Sequence, residues 1–101
     1  METLTFFQRF ETDILAGRKT ITLRDQAESH YQAGQQVKLA NLESGRCYGQ
    51  ALILSVEWVD FDQLNQQHAV QENMSLNELK SLIREIYPAI TQLYQIEFKL
   101  I

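Results

Sequence analysis

The sequence has few cysteine, proline and glycine residues: one Cys, one Pro and four Gly among 101 residues. Because Cys47 has no second cysteine to pair with, an internal disulfide and a thiolate zinc cluster are excluded, and a reducing cytoplasm fits best. Nothing at the N-terminus has the pattern of a signal peptide. Pro88 is isolated and no low-complexity stretch indicates a linker. We therefore expect residues 1–101 to form a single domain.

Long hydrophobic runs and an excess of positive charge are also missing. No apolar run approaches the roughly 20 residues needed to cross a bilayer, so we expect no membrane span. The formal net charge is −4, which works against broad binding to nucleic acid, because such binding depends on neutralising many phosphates. A nucleoside, or a short local contact with RNA, remains compatible with this charge. The hydrophobic content of 45% is sufficient for a core.

The hydrophobic periodicity predicts a mixed sheet or small barrel with helices beside it. We expect strands at residues 4–7, 21–23, 36–42, 48–59 and 94–100, of which the third and fourth pair as a hairpin. We expect helices at residues 8–16 and 61–69. Gly17 ends the first of them. The spacing of Ser75 and Glu78 is that of a capping box that opens a further helix, and Pro88 marks its end.

Several conspicuous side chains have structural explanations. Trp58 and Tyr48 are expected to pack along the long strand, because aromatic side chains are usually buried. Cys47 has no neighbouring base in the sequence, so we expect a small, semi-buried residue rather than a nucleophile. His30 and His68 are the only histidines. A catalytic zinc usually has three protein ligands, so we expect no metal.

The densest group of reactive side chains lies in residues 17–24, where Arg18, Lys19, Thr22 and Arg24 occur close together in an acidic chain. Thr22 is a weak nucleophile unless a base removes its proton, and Lys19 is the nearest candidate. Lysine must be neutral to accept a proton, a form that burial and neighbouring arginines favour. Thr22 and Arg24 share one face of a strand, so Lys19 must precede the strand or lie at a bend. A solvated basic turn explains the same residues equally well.

A second polar group, residues 68–74, lies just before the capped helix and contains Glu72. In a partly apolar pocket a carboxyl group can remain protonated at neutral pH and donate its proton to a leaving nitrogen. Taken alone, a glutamate near a helix N-terminus is better explained by the helix dipole, which favours negative charge there. The polar residues 25–30 either cover a site or form an ordinary loop, and their spacing does not separate these two possibilities.

Gly17, Lys19 and Arg24 match the G-x-K-x-x-x-x-R signature of ASCH domains, which have a PUA-like β-barrel fold associated with RNA. More narrowly, the chain resembles the small bacterial N(4)-acetylcytidine amidohydrolases. The resemblance is carried by residues 6–10, 13–22, 68–69, 71–74, 86–88 and 96–98. It covers nearly the whole chain and is weakest at residues 37–60. It implies an α+β fold, a small PUA-like (ASCH) mixed β-barrel flanked by helices.

The resemblance also implies an activity: hydrolysis of the acetyl amide of N(4)-acetylcytidine to cytidine and acetate, without a metal or organic cofactor. By this likeness Lys19 is the proton acceptor, Thr22 the nucleophile and Glu72 the proton donor. Because Arg24 shares a strand face with Thr22, we expect Arg24 or backbone amides to stabilise the oxyanion, and Arg18 is a further candidate for substrate binding. The expected partner is a small nucleoside, with nucleoside, free base and nucleotide all open.

Two other classes of function remain open at this stage. In a non-catalytic RNA-binding module of the wider superfamily, Arg18, Lys19 and Arg24 would contact phosphate, although the acidity of the chain counts against it. In a small regulatory or protein-interaction domain, Lys19, Thr22 and Glu72 would show no converging geometry. The oligomeric state does not follow from the sequence.

Overall fold

A five-stranded mixed sheet is the framework of the computed structural model, which describes residues Met1–Ile101. The strands are β1 (Thr3–Phe6), β2 (Ile21–Arg24), β3 (Gln36–Asn41), β4 (Cys47–Asp60) and β5 (Gln92–Leu100). Their spatial order is β1-β3-β4-β5-β2. β1 and β3 are parallel and every other pair is antiparallel. The predicted hairpin of β3 and β4 is therefore confirmed.

The helices depart from the prediction in two places. They are α1 (Glu11–Leu15), α2 (Gln66–Glu72) and α3 (Leu76–Ile86), with 3₁₀ turns at Gln8–Phe10, Gln26–Glu28 and Phe61–Gln63. The helix predicted at residues 8–16 is split into a 3₁₀ turn and α1. The predicted start of the helix at residues 61–69 is wrong, because α2 begins at Gln66. The Asn65 side chain accepts a hydrogen bond from the Gln67 N–H and caps the helix there. The capping box of Ser75 and Glu78 is confirmed at the start of α3.

Two hydrophobic clusters cover opposite faces of the sheet. The larger cluster contains Leu4, Phe6, Ile14, Tyr31, Val37, Leu39, Ala51, Ile53, Ile96 and Phe98. The smaller cluster contains Leu23, Leu64, Ala69, Leu79, Ile83 and Leu93, and it joins the sheet to α2 and α3. β5 therefore has buried residues on both of its faces. Leu93 packs toward the helices, whereas Ile96 and Phe98 pack into the larger cluster.

The sheet curls so that its two edge strands approach each other. The Arg24 side chain, at the end of β2, donates from Nη2 to the backbone carbonyl of Thr5 on β1 over 2.5 Å. The planar guanidinium carries several N–H donors in fixed directions, so it can link β1 and β2, which have no backbone hydrogen bonds to each other. The bridge brings residues of β1 and β2 to one place, and this is where the candidate site lies.

Two burial expectations need correction, and a third is confirmed. Trp58 is 63% exposed: it shares a strand face with Val56, but Val56 packs against the larger cluster and Trp58 does not. Cys47 is exposed at the start of β4 rather than semi-buried. Tyr48 is partly buried and packs against the larger cluster, as predicted. None of the helices has the length and apolar character required to span a bilayer.

Candidate active site

The turn between α1 and β2 places Lys19. Gly17 has a φ of +77°, a left-handed conformation that stops α1 as predicted and that other residues adopt only with strain. The backbone N–H groups of Arg18 and Lys19 both donate to the Asp13 carbonyl, over 2.9 and 3.2 Å. Lys19 therefore precedes β2, which starts at Ile21, and the expectation that it lies outside the regular strand is confirmed.

A second set of backbone bonds joins this turn to α2. The Thr20 N–H donates to the Gln71 carbonyl over 2.8 Å, and the Thr20 carbonyl accepts from the Phe98 N–H over 3.0 Å. Gln71 belongs to the last turn of α2, where carbonyl groups have no partner within the helix. The bond thus satisfies a free helix carbonyl and holds Lys19 next to the end of α2.

Lys19 and Glu72 form a buried pair. Lys19 Nζ lies 2.5 Å from Glu72 Oε1, although the two residues are 53 positions apart in the chain. Lys19 is 4% exposed and Glu72 is 5% exposed. The amine also lies 4.9 Å from the centre of the Phe10 ring and 5.7 Å from that of Phe6. Because a buried charge is costly without a partner, each of the two groups requires the other.

The helix-dipole explanation for Glu72 is wrong. Glu72 is the last residue of α2, and Asn73, in the left-handed conformation with φ 59°, ends the helix directly after it. The C-terminal end of a helix carries partial negative charge, which disfavours a carboxylate. Glu72 thus occupies a position that helix electrostatics do not explain, and Lys19 supplies the compensating contact.

Thr22 and Arg24 lie on one face of β2, as expected. Arg24 Nε donates to Thr22 Oγ1 over 2.8 Å. A threonine hydroxyl has one proton and two lone pairs, so an oxygen that accepts from Arg24 still has its own proton to give. The same guanidinium donates from Nη1 to Glu28 Oε2 over 2.6 Å, and its carbon lies 5.1 Å from the centre of the Phe6 ring. The Arg24 guanidinium is therefore held by hydrogen bonds on three of its nitrogens and by the face of an aromatic ring.

These side chains share one cavity of about 160 Å³. Its polar lining residues are Thr5, Lys19, Thr22, Arg24, Glu28 and Glu72. Its other lining residues are Phe6, Phe7, Phe10, Leu23, Leu42, Leu82, Ile83, Ile86 and Tyr87. The two cationic groups each contact a carboxylate, so the charges of the cavity compensate each other. The cavity therefore suits an uncharged ligand with a flat, partly apolar body better than a polyanion.

The structure does not bring Arg18 into this cavity. Its Nε donates to Asp13 Oδ1 over 3.1 Å, and its side chain is 50% exposed. His68 and His30 also lie elsewhere: His68 Nδ1 accepts from the Asn65 N–H at the start of α2, and His30 pairs with Glu2. No three His, Cys, Asp or Glu side chains are grouped so that they could hold a metal ion.

Sequence reasoning did not single out Tyr87 or assign a role to Glu28. Tyr87 follows α3 and lines the cavity. Burial raises the pKa of Tyr87, and the carboxylates of Glu28 and Asp25 raise it further, so the phenol keeps its proton at neutral pH. The available signal for Glu28 was its position four residues after Arg24, which allows an ion pair when the intervening backbone turns. The loop at residues 25–30 thus contributes to the site wall.

Curated proteins similar to this chain cover almost its full length. A protein of Vibrio vulnificus (strain YJ016), named N(4)-acetylcytidine amidohydrolase, is 56% identical over 96 residues, which are 95% of this chain and 92% of that protein. A protein of Edwardsiella ictaluri with the same name is 52% identical over 98 residues, or 97% of this chain and 92% of that protein. No family model matches the chain.

Solved structures agree on the fold. An ASCH domain from Lactobacillus crispatus superposes with a TM-score of 0.79 at 16% identity, over 98% of this chain and 79% of that one. A protein of Enterococcus faecalis superposes with a TM-score of 0.82 at 16% identity, over 100% of this chain and 76% of that one. The predicted α+β fold of the PUA-like (ASCH) type is confirmed. With relatives above 50% identity along the whole sequence, the chain belongs to the N(4)-acetylcytidine amidohydrolase family.

Proposed function

We propose that this protein, acting as a single domain, removes the acetyl group from N(4)-acetylcytidine to give cytidine and acetate, with Thr22 as nucleophile, Lys19 as base and Glu72 as acid. The observation that carries the proposal is the buried 2.5 Å contact between Lys19 and Glu72 in the cavity that also contains Thr22. An amine and a carboxyl group in such contact form one proton-transfer unit. The amidohydrolase name of the relatives supports the reaction.

In the proposed reaction this pair supplies both proton transfers of the first half. Moving one proton across the 2.5 Å contact, from Lys19 Nζ to Glu72, gives the neutral amine and the carboxylic acid that the reaction uses, with no change in the net charge of the pair. The amine then accepts the Thr22 proton while Oγ1 bonds to the acetyl carbonyl carbon. As the bond from that carbon to the cytosine nitrogen breaks, Glu72 protonates the departing amine. The products are cytidine, an acetyl ester on Thr22, and an ammonium–carboxylate pair.

The second half restores the starting state. A water molecule attacks the ester carbonyl, the Glu72 carboxylate takes its proton, and the Lys19 ammonium returns a proton to the Thr22 oxygen as the ester bond breaks. Acetic acid leaves and releases its proton to water as acetate, and the pair is again the amine and carboxylic acid with which the first half began. The sum of both halves is the addition of water across the amide, so no external acid, base or cofactor is consumed.

The walls of the cavity favour a nucleoside over a polyanion. Phe6, Phe7 and Phe10 provide aromatic surface on which a base can pack. Both cationic groups already contact carboxylates, Lys19 with Glu72 and Arg24 with Glu28, so neither is free for a phosphate. The expected substrate is therefore the neutral acetylated nucleoside. The cytoplasmic location of the protein stays a prediction from the single cysteine.

The direct test is to incubate the purified protein with N(4)-acetylcytidine and to measure cytidine and acetate. We expect equal amounts of the two products, with no added metal required. The RNA-binding alternative gives a different result: no acetate release, and an affinity for RNA that decreases with salt and with removal of Arg18, Lys19 and Arg24. If the protein binds RNA in this way and leaves acetylcytidine intact, the proposed enzymatic function is wrong.

Arg24 should be important for turnover and Arg18 should not. In Arg24→Ala the donor to Thr22 Oγ1 is lost, together with a cationic group of the cavity that is available to a developing oxyanion. We expect kcat to fall by about 10²- to 10³-fold, the usual cost of removing one such donor. Arg18→Ala is the matched control, because its side chain pairs with Asp13 outside the cavity. Steady-state kinetics that show equal rates for Arg24→Ala and the unmodified protein would contradict this role.

A further inference from the structure

We propose that Glu28 is a positioning residue that orients Arg24 and, through Arg24, the Thr22 hydroxyl. This inference rests on the proposed function, because it assigns Thr22 the role of nucleophile. Two contacts link three residues in a continuous chain: Glu28 Oε2 accepts from Arg24 Nη1 over 2.6 Å, and Arg24 Nε donates to Thr22 Oγ1 over 2.8 Å. Glu28 also lines the cavity.

The geometry of the guanidinium explains how one end of the chain controls the other. The group is planar and its donors have fixed relative directions, so two contacts on different nitrogens determine the plane and the direction of Nε. One is the backbone carbonyl of Thr5, which accepts from Nη2 over 2.5 Å. The other is Glu28. With Glu28 absent, the Thr5 carbonyl is the one hydrogen-bond acceptor besides Thr22 itself that holds the guanidinium, so the direction of the donor to Thr22 is less firmly fixed.

The backbone places Glu28 firmly. It is the last residue of the 3₁₀ turn Gln26–Glu28, which follows β2 directly. The Glu28 N–H donates to the Asp25 carbonyl over 3.1 Å and lies 3.2 Å from the Asp25 Oδ1. Asp25 thus caps the turn and presents the Glu28 carboxylate to Arg24, four residues earlier. This arrangement gives the loop at residues 25–30 a defined role at the cavity wall.

The exposure of Glu28 separates positioning from stability. Its side chain is 46% exposed and that of Arg24 is 13% exposed. Because the Glu28 carboxylate remains accessible to water, its pair with Arg24 contributes modestly to folding. A purely structural role would lower the melting temperature, whereas a positioning role lowers kcat with KM and the melting temperature nearly unchanged. The hydrogen bond, rather than the charge, is the feature required to orient Arg24.

The kinetic experiment compares Glu28→Ala and Glu28→Gln with the unmodified protein, using N(4)-acetylcytidine. We expect kcat of Glu28→Ala to fall by about 10- to 100-fold with KM within twofold, since small misplacements of reacting groups cost about this much. Glu28→Gln keeps an oxygen acceptor for Nη1 and should recover most of the rate. Glu57→Ala is the control, because it removes an exposed carboxylate from β4, away from the cavity. A Glu28→Ala protein with unchanged kcat would overturn the proposal.

A second measurement needs no substrate. In ¹⁵N-labelled protein, the Arg24 Nε–H signal, assigned with Arg24→Lys, reports how firmly the guanidinium is held. We expect a sharp signal protected from exchange in the unmodified protein and in Glu28→Gln, and a broadened, rapidly exchanging one in Glu28→Ala. An unchanged signal in Glu28→Ala would reject the positioning role. If the unmodified protein fails to cleave acetylcytidine while this signal responds to Glu28, the proposed reaction fails and the orientation of Arg24 by Glu28 stands.

Discussion

Thr22→Ala should abolish acetate release from N(4)-acetylcytidine while leaving the fold intact. In the proposed reaction Thr22 Oγ1 forms the bond to the acetyl carbon, and it is the side-chain hydroxyl of the cavity that accepts a hydrogen bond from Arg24. We expect kcat to fall by roughly 10⁴- to 10⁶-fold, as when one member of a nucleophile and base set is removed. Steady-state kinetics and the melting temperature are measured together.

Two matched variants define what the loss means. Thr22→Ser keeps an oxygen nucleophile on the same strand and should retain measurable turnover. Thr20→Ala is the control, because Thr20 holds the turn through its backbone N–H and carbonyl, which the substitution leaves in place. If Thr22→Ala hydrolyses acetylcytidine at the rate of Thr20→Ala, then Thr22 is not the nucleophile. A water molecule activated by Lys19 and Glu72 would then be the remaining mechanism.

Much of the fold follows from local patterns in the sequence. The capping box of Ser75 and Glu78 requires residues only three positions apart, and the structure contains it. The common face of Thr22 and Arg24 follows from the two-residue period of a strand and appears as a direct hydrogen bond. Such features are encoded by neighbours along the chain, so they can be recognised without knowing the rest of the fold.

The end of α2 was predicted wrongly because its sequence lacks an amphipathic signal. Only Ala69 and Glu72 are buried among its seven residues, and Val70 is 63% exposed. Hydrophobic periodicity is the main sequence signal for a helix, so a helix that buries an alanine and a glutamate is hard to recognise. The position of Glu72 at the helix C-terminus, and with it the failure of the dipole explanation, is visible only in the structure.

The convergence of the site is also beyond local patterns. Lys19 and Glu72 are 53 residues apart, and their contact depends on the bond from Thr20 to Gln71, which joins the turn before β2 to α2. The apolar wall comes partly from α3, and one of its residues there is Ile86. It is 43% exposed and lines the cavity. The family resemblance nominated the reactive residues, whereas the cavity and the compensation of its charges come from tertiary structure.

Breaking the buried pair should unfold the protein more readily as well as inactivate it. Glu72→Met leaves the Lys19 amine buried without its carboxylate, and removal of one partner from such a pair typically costs about 3–5 kcal/mol. In a domain of this size each kcal/mol lowers the melting temperature by about 4 °C or more. We therefore expect a loss above about 10 °C in calorimetry, together with loss of acetate release.

The double variant separates the fold from the chemistry. Lys19→Met lacks the amine and Glu72→Met lacks the carboxylate, while the protein with both changes replaces the pair by two apolar side chains beside Phe6 and Phe10. Such replacements are often neutral or stabilising, so the double variant should recover most of the melting temperature that each single variant loses. It should remain inactive, because base and acid are both gone.

Additive losses of stability would mean that the two side chains do not depend on each other. A stable double variant that still released acetate would remove both residues from the reaction. Recovery of stability without activity is the outcome that the 2.5 Å contact between Lys19 and Glu72 predicts.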